Sequence, residues 1–344
     1  MRGRQRIATG ARRSSQSSLP RLLLNDRRPN FARRPVLRAD PPSPYRPSVR
    51  HLRSLIQGFV FATVLVGCQR SDGDGAPAAD LRDDYGTRIA LMRPPERIVS
   101  LNPTTTEILF AIGAGKRLVG RSQYDTFPDS AKVVPSLGPA LRPSVEAIVN
   151  AKPDLVILYA SDDNKAVFDR LRQAAIPTVA FKLDSIEQFR RDTKILGQLV
   201  GDTVSARIVV DSVSATLDRV RRATSSLPRP SVFLPTWYKP IIAIGGGSFM
   251  SELLDIAGGK NIYASALTPT VTVTLEDVVT KNPDIVLVGQ TDSTIQKSDA
   301  WRAIPAVRDN HVKVVDFDLV SRPSVQLGAA AVSLARLLHP GAIP

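Results

Sequence analysis

The chain has 344 residues, 43% of them hydrophobic, a formal net charge of +14 and a single cysteine. Positions 1–67 hold fourteen arginines, no lysine and only Asp26 and Asp40, so the remainder carries 32 basic against 30 acidic residues, a net charge near +2. The basic excess therefore belongs to the N-terminal stretch, the rest has no electrostatic footprint for DNA or RNA, and one cysteine excludes a disulfide scaffold.

Positions 1–67 read as a leader. The first 45 or so residues are rich in Arg, Pro and Ser without periodicity, a disordered composition, and translation is expected to begin downstream of them. The apolar run between Gly58 and Cys68 is about half the roughly 20 residues that span a bilayer, so it fits a signal-peptide core, with Arg46, Arg50, His51 and Arg53 before it. Leu65-Val66-Gly67-Cys68 resembles a bacterial lipobox, which makes Cys68 the expected lipidation site and first mature residue. Positions 68–94, beginning "CQRSDGDGAPAADLRDDYG", are expected to form a polar tether.

Positions 95–201 alternate short apolar runs with helical periods. "RIVSL" (97–101), "KRLVG" (116–120), Leu155 to Leu158 and "PTVAF" (177–181) read as strands. Helices are expected over 103–114, up to the residue before Pro153, over 163–174 and over 185–199. This pattern is that of an α/β lobe. In 202–226, Val204, Ile208, Val213, Leu217 and Val220 recur every three to five residues without Gly or Pro, which describes one long amphipathic linking helix of about 30 Å.

Positions 229–344 repeat the first lobe. "SVEAIVNAKPDLVIL" (144–158) and "TLEDVVTKNPDIVLV" (274–288) share an acid at the third position, an aliphatic pair, Pro-Asp and a four-residue apolar strand. "TEILFAIGAGK" (106–116) pairs with "SELLDIAGGK" (251–260). Two similar α/β lobes joined by a helix place a ligand outside the carboxyl ends of the strands, in the cleft between lobes.

Catalytic signals are sparse. His51, His311 and His339 are scattered, so a zinc site lacks ligands and no metal site is expected. "GAGKR" (113–117) lacks the spacing of a phosphate loop, whereas "GGGSF" (245–249) could either bind an anion or form a tight strand-to-helix turn. No nucleophile elbow is present, so the chain is expected not to be an enzyme; a lipid-anchored hydrolase is the distant alternative.

"RIVSLNPTTTEILFAIGAGKRLVGRSQYDTFP", the two Glu-containing Pro-Asp repeats and "DFDLVSRPS" closely resemble the periplasmic cobalamin-binding proteins and their relatives for ferric siderophores and haem. The resemblance covers roughly 95–340 and implies two Rossmann-like lobes joined by one rigid helix, with limited closure. It implies a monomeric, exported, lipid-anchored substrate-binding protein that presents its ligand to the permease and ATPase of an ABC importer. The expected ligand is cobalamin or a related corrinoid, with a ferric siderophore or haem as the alternative, and no resident cofactor.

The same resemblance implies permease docking through Glu146 and Glu276, one per lobe, although an acid in a first helical turn also complements the helix dipole. It implies ligand contacts from Tyr124, Asp318 and Arg322. A phenol and an Arg–Asp pair suit a large, partly apolar ligand bearing amides or carboxylates. The tryptophans of the cobalamin binder have no counterparts at Ala140 and Thr270, so Trp237 and Tyr238 are expected to supply aromatic surface, with Tyr159 and Trp301 as further candidates for cleft or core.

Overall fold

The computed structural model describes residues 81–289 and 294–342. The expected leader, the lipidation site Cys68 and the first part of the tether lie outside the described residues.

In the first lobe, β1 (Ile98–Leu101) leads into α1 (Pro103–Ala111), followed by β2 (Leu118–Arg121), α2 (Val145–Asn150), β3 (Leu155–Tyr159), α3 (Asp162–Gln173), β4 (Thr178–Phe181) and α4 (Ile186–Val200). The strands form a parallel sheet in the order β2-β1-β3-β4. Every residue of β1 and β4 is buried, as expected of parallel strands covered on both faces. Asn102 caps α1 by accepting from the Thr104 N–H, and Pro103 occupies the first turn, where its missing N–H costs nothing. The stretch read as the strand "KRLVG" is divided: Gly115–Arg117 form a 3-10 turn, and β2 starts only at Leu118.

Gly201 ends α4 in the left-handed conformation, φ 79°, and turns the chain directly into α5 (Thr203–Thr224). The stripe that α5 buries is Ala206, Val210, Val213, Leu217, Val220 and Thr224. Val204 and Ile208, read as part of that stripe, are 58% and 60% exposed. A step of four from Ala206 to Val210 keeps the helical face in register with Val213, and Val204 and Ile208 fall off that face.

The second lobe comprises β5 (Ser231–Phe233), β6 (Pro235–Tyr238), β7 (Ile241–Ile244), α6 (Phe249–Ile256), β8 (Lys260–Asn261), β9 (Thr270–Val273), α7 (Leu275–Lys281), β10 (Ile285–Gly289), α8 (Thr294–Lys297), α9 (Pro305–Arg308), β11 (Val312–Val315), α10 (Phe317–Val320) and α11 (Leu327–Leu338). Its parallel sheet runs β11-β10-β5-β8, and β6-β7-β9 form a separate antiparallel sheet.

The sequence repeat has a structural meaning. Asp154 and Asp284, the acids of the two Pro-Asp pairs, each accept backbone N–H bonds at or beside the start of a central strand: Asp154 from Glu96 and Arg97, Asp284 from Ser231. Lys152 and Asn282, two residues earlier in each copy, both have positive φ, 48° and 44°. The two lobes thus share one way of ending a short helix and locking the following strand beside its neighbour.

Behind the sheets one apolar cluster is continuous through both lobes. Ile108 and Leu109 of α1, Leu196 and Leu199 of α4, Val213 and Leu217 of α5, Leu253 and Leu254 of α6, and Leu334 of α11 all belong to it. Burial of each such side chain contributes about 1.5–3 kcal/mol, so the lobes are joined by a shared core as well as by α5.

Residues 81–94, expected to be tether, depart from that expectation. Asp83, Asp84 and Tyr85 are hydrogen-bonded to the first lobe, because β4 is an edge strand whose outward N–H groups need acceptors.

Candidate functional site: a cleft between the lobes

The carboxyl ends of β1, β3 and β4 point toward the second lobe, and a cavity of about 540 Å³ opens there. The first lobe contributes Asn102 to Thr104 at the start of α1, Tyr159 at the end of β3, and Lys182 to Asp184 directly after β4. The second lobe contributes Gly247 to Phe249 at the start of α6, Pro269, and Ser321 to Pro323. Its size lies in the range of ligand sites, and it sits at a lobe interface outside strand ends.

The cleft has a specific charge arrangement. At its base Arg322 Nε donates to Glu107 Oε1 at 3.1 Å, and Gln326 Nε2 donates to Glu107 Oε2 at 3.2 Å, so a carboxylate of α1 is gripped by the second lobe. Glu107 is 2% exposed, and burial raises its carboxyl above the usual range against the opposing pull of Ser324, Arg322 and Gln326. On the first-lobe wall Tyr159 Oη donates to Asp184 Oδ1 at 2.9 Å. Burial, reinforced by the neighbouring Asp184 charge, pushes the Tyr159 phenol up from its ordinary value.

"GGGSF" is a turn. Gly245 N–H donates to Pro269, Gly247 N–H to Ala266 and Thr268, and Ser248 N–H to Gly245, which engages these donors within the fold. A Cβ on Gly246 would lie 1.9 Å from the Ala264 carbonyl oxygen, so only glycine permits this close approach.

The residues singled out from sequence are dispersed. Arg322 lines the cavity and pairs with Glu107, whereas Asp318 is exposed on α10 and is not among the residues lining the cavity. Tyr124 is 54% exposed and lies outside the cavity lining. Its loop is held by Asp125, which accepts from Thr106 Oγ1 at 2.5 Å and from the Ser122 hydroxyl. Trp237 is 60% exposed, and its indole Nε1 donates to the Lys239 carbonyl. Tyr238 stacks edge-on against Trp301, which is itself buried against Phe233 in the second-lobe core, so Trp301 is a core residue. Of the aromatic candidates, Tyr159 faces the cleft.

Sequence reasoning does not single out Lys182 and Asp184, which line the cavity, or Glu107, which holds the cavity-lining Arg322. Glu107 is the one charged residue in "PTTTEILFA", an acid that opens directly onto an apolar run in a short helix, and that isolation is a sequence signal for a buried ion pair. Lys182 and Asp184 carry no signal, because loop residues after a strand are placed only by the topology.

Glu146 and Glu276 occupy equivalent places. Each is the second residue of a short helix, α2 or α7, whose cap is a hydroxyl, Ser144 or Thr274. Both are exposed, and neither forms an ion pair among the described residues. Among the described residues no group of three His, Cys, Asp or Glu side chains is placed to hold a metal ion.

Comparison with known proteins agrees with this architecture. An uncharacterized ABC transporter substrate-binding lipoprotein, YvrC of Bacillus subtilis, is 30% identical over 261 residues, covering 73% of this chain and 82% of the relative. The crystal structure of a possible iron-binding periplasmic solute-binding protein from Staphylococcus epidermidis superposes with a TM-score of 0.65 at 27% identity, over 72% of this chain and 100% of that one. The periplasmic vitamin B12 binding protein BtuF of Vibrio cholerae superposes with a TM-score of 0.62 at 25% identity, over 71% of this chain and 97% of that one. These relatives are solute-binding proteins and not enzymes, which removes the hydrolase alternative. The sequence profile of the periplasmic binding protein family matches residues 98–319, and the chain belongs to that family.

Proposed function

We propose that this chain is the substrate-binding protein of an ABC importer and that it captures cobalamin or a related corrinoid in the inter-lobe cleft. It is exported, tethered through a lipid on Cys68, and docks on its permease through Glu146 and Glu276. The observation that carries the ligand reading is the Tyr159–Asp184 pair. Tyr159 is a phenol lining the cavity, no histidine lines it among the described residues, and the Tyr159 hydroxyl is committed to the Asp184 carboxylate. A phenol whose hydroxyl is already engaged by a carboxylate must give up that bond to ligate iron, so the cleft suits a molecule whose metal is already fully coordinated. A corrinoid meets that condition, and haem that takes an axial ligand from the protein does not.

A ferric siderophore also brings its metal coordinated, and Lys182 and Arg322, which line the cavity from the two lobes, favour it where the chelate is anionic. Calorimetric titration of the chain from Gln69 onward with cyanocobalamin, cobinamide, haemin and a set of ferric siderophores separates these readings. Submicromolar one-to-one binding of a corrinoid is the expected result. Saturation by a ferric chelate alone moves the protein to the siderophore branch, and tight haemin binding with silence elsewhere contradicts the Tyr159 argument.

A further inference from the structure

The segment "LRDDYGT" (81–87) lies outside the cleft, yet its bonds converge on the two stretches that form the first-lobe wall. Asp83 is 5% exposed and divides its carboxylate. Oδ1 accepts from the Tyr85 and Thr87 N–H groups at 3.1 and 2.8 Å, closing a turn in which Gly86 has φ 77°. Oδ2 accepts from the Ala180 N–H at 3.2 Å.

Asp84 continues along the edge of β4. Its N–H donates to the Ala180 carbonyl at 2.9 Å, and its Oδ2 accepts from the Lys182 N–H at 2.7 Å. Arg191 Nη2 of α4 donates to both Asp84 oxygens, at 2.7 and 2.9 Å, and fixes that carboxylate against the strand. Tyr85 then reaches the end of the neighbouring strand. Its Oη donates to the Ser161 carbonyl at 2.6 Å and accepts from the Ser161 N–H at 3.1 Å, while its ring meets Phe168 edge-on at 4.8 Å.

The anchored positions are Ala180, Lys182 and Ser161. Lys182 and its successors Leu183 and Asp184 line the cavity, and Ser161 is two residues beyond Tyr159, which lines it too. β4 is paired on one side only, with β3, and the loop after β3 is held from within by Ala160 N–H to Phe181 and Asn164 to Tyr159; the strap adds partners on the open edge. We propose that Asp84 and Tyr85 are positioning residues of the ligand cleft: they hold the Lys182–Asp184 and Tyr159 walls in place without touching the ligand. This rests on the reading of the cavity as the ligand site.

The test compares wild type with Y85F, D84A and D84N by amide hydrogen exchange and by cyanocobalamin titration, with thermal melting as the control. In Y85F, which removes the Oη bonds to Ser161, exchange in peptides covering 156–164 should rise about tenfold, the worth of one net hydrogen bond, while second-lobe peptides stay unchanged. D84A should do the same for 178–186, and D84N, which keeps a carbonyl oxygen for the Lys182 N–H, should recover most of the protection. Cyanocobalamin affinity should fall about five- to tenfold in Y85F and D84A.

Unchanged exchange in both wall segments overturns the proposal whatever the ligand. Accelerated exchange or lowered melting with unchanged affinity also overturns it, because the strap would then brace the lobe without placing the cleft. Wild-type silence toward cyanocobalamin removes the corrinoid reading, and the exchange result still decides whether the strap holds these walls. Should D84A fail to fold, Y85F decides the matter.

Discussion

Arg322 Nε lies 3.1 Å from Glu107 Oε1, joining the segment before α11 to α1 across the base of the cleft. The Glu107 side chain is 1% exposed and that of Arg322 is 20% exposed, so the pair is largely withdrawn from water. Removing one partner of a buried pair leaves an uncompensated charge and costs about 3–5 kcal/mol. R322A should therefore lower stability by that order in urea titrations at pH 7. The loss should be smaller in R322A/E107Q, where the buried site carries no charge. Burial raises the folded-state Glu107 carboxyl above its unfolded value, so the native form takes up a proton first as pH falls. The R322A deficit should therefore shrink on acidification. A deficit that is constant with pH contradicts the assignment.

Asp192 offers a second pH signature. Its side chain is fully buried beside Arg191, and burial pushes its carboxyl up to about 6. Between the unfolded value near 3.8 and about 6 the native state binds the proton that the unfolded state has released. Stability from this group is therefore fully present below pH 3.8 and lost as pH rises through 6, a swing on the order of 2–3 kcal/mol. D192N removes the swing. Relative to wild type it should be more stable at pH 8 and lose that advantage near pH 4, as read from melting curves across the range.

The sequence made the repeat legible because Pro-Asp fixes a local geometry twice, with Asp154 and Asp284 doing the same work at β1 and β5. Arg322 was reachable through the family resemblance, whereas its partner is 215 positions away and no local pattern pairs them. The β6-β7-β9 sheet was missed for a related reason: β9 pairs with β7 across the intervening α6, and strands of four residues carry too little periodicity to announce a partner. Composition alone reads the strap as tether. Asp and Gly favour loops, and nothing local says that the carboxylates of Asp83 and Asp84 will meet N–H groups of β4 almost a hundred positions away.

The triglycine turn makes a steric prediction. G246A would place a methyl group against the Ala264 carbonyl, and backbone on both sides limits relief. A cost of about 1–3 kcal/mol is expected from such overpacking. Because Gly247 to Phe249 line the cavity, ligand affinity should fall as well. An alanine variant with wild-type stability and binding would show that the turn relaxes freely.

The two tryptophans should separate cleanly. Trp301 stacks on Phe233 with ring centroids 6.1 Å apart and is 7% exposed, so W301A should cost about 3–5 kcal/mol through the cavity it leaves. Trp237 is 60% exposed, so W237A should change stability by less than about 0.5 kcal/mol. If Trp237 contributes aromatic surface to the ligand, its removal weakens binding at constant stability. If binding is unaffected, its exposed ring is no part of ligand capture.

Glu146 and Glu276 present two carboxylates on equivalent turns of the two lobes, both exposed and outside the cavity lining. Such a pair suits a permease with one cationic patch for each lobe, where charge pairing sets orientation and encounter rate more than bulk affinity. Reversing either charge should therefore act on delivery and leave capture intact. E146K and E276K should each bind ligand with wild-type affinity and melt within a degree or two of wild type, since exposed substitutions shift stability by about 0.5 kcal/mol or less. Ligand uptake by cells depending on the importer should fall at least tenfold in each, and the double reversal should abolish it. The competing role is that each acid merely complements its helix N-terminus, worth about 0.3–1 kcal/mol. Under that role both variants lose a little stability, and E146Q loses most of what E146K loses, while uptake persists. Uptake that follows the sign of the charge with unchanged melting separates docking from helix stabilisation.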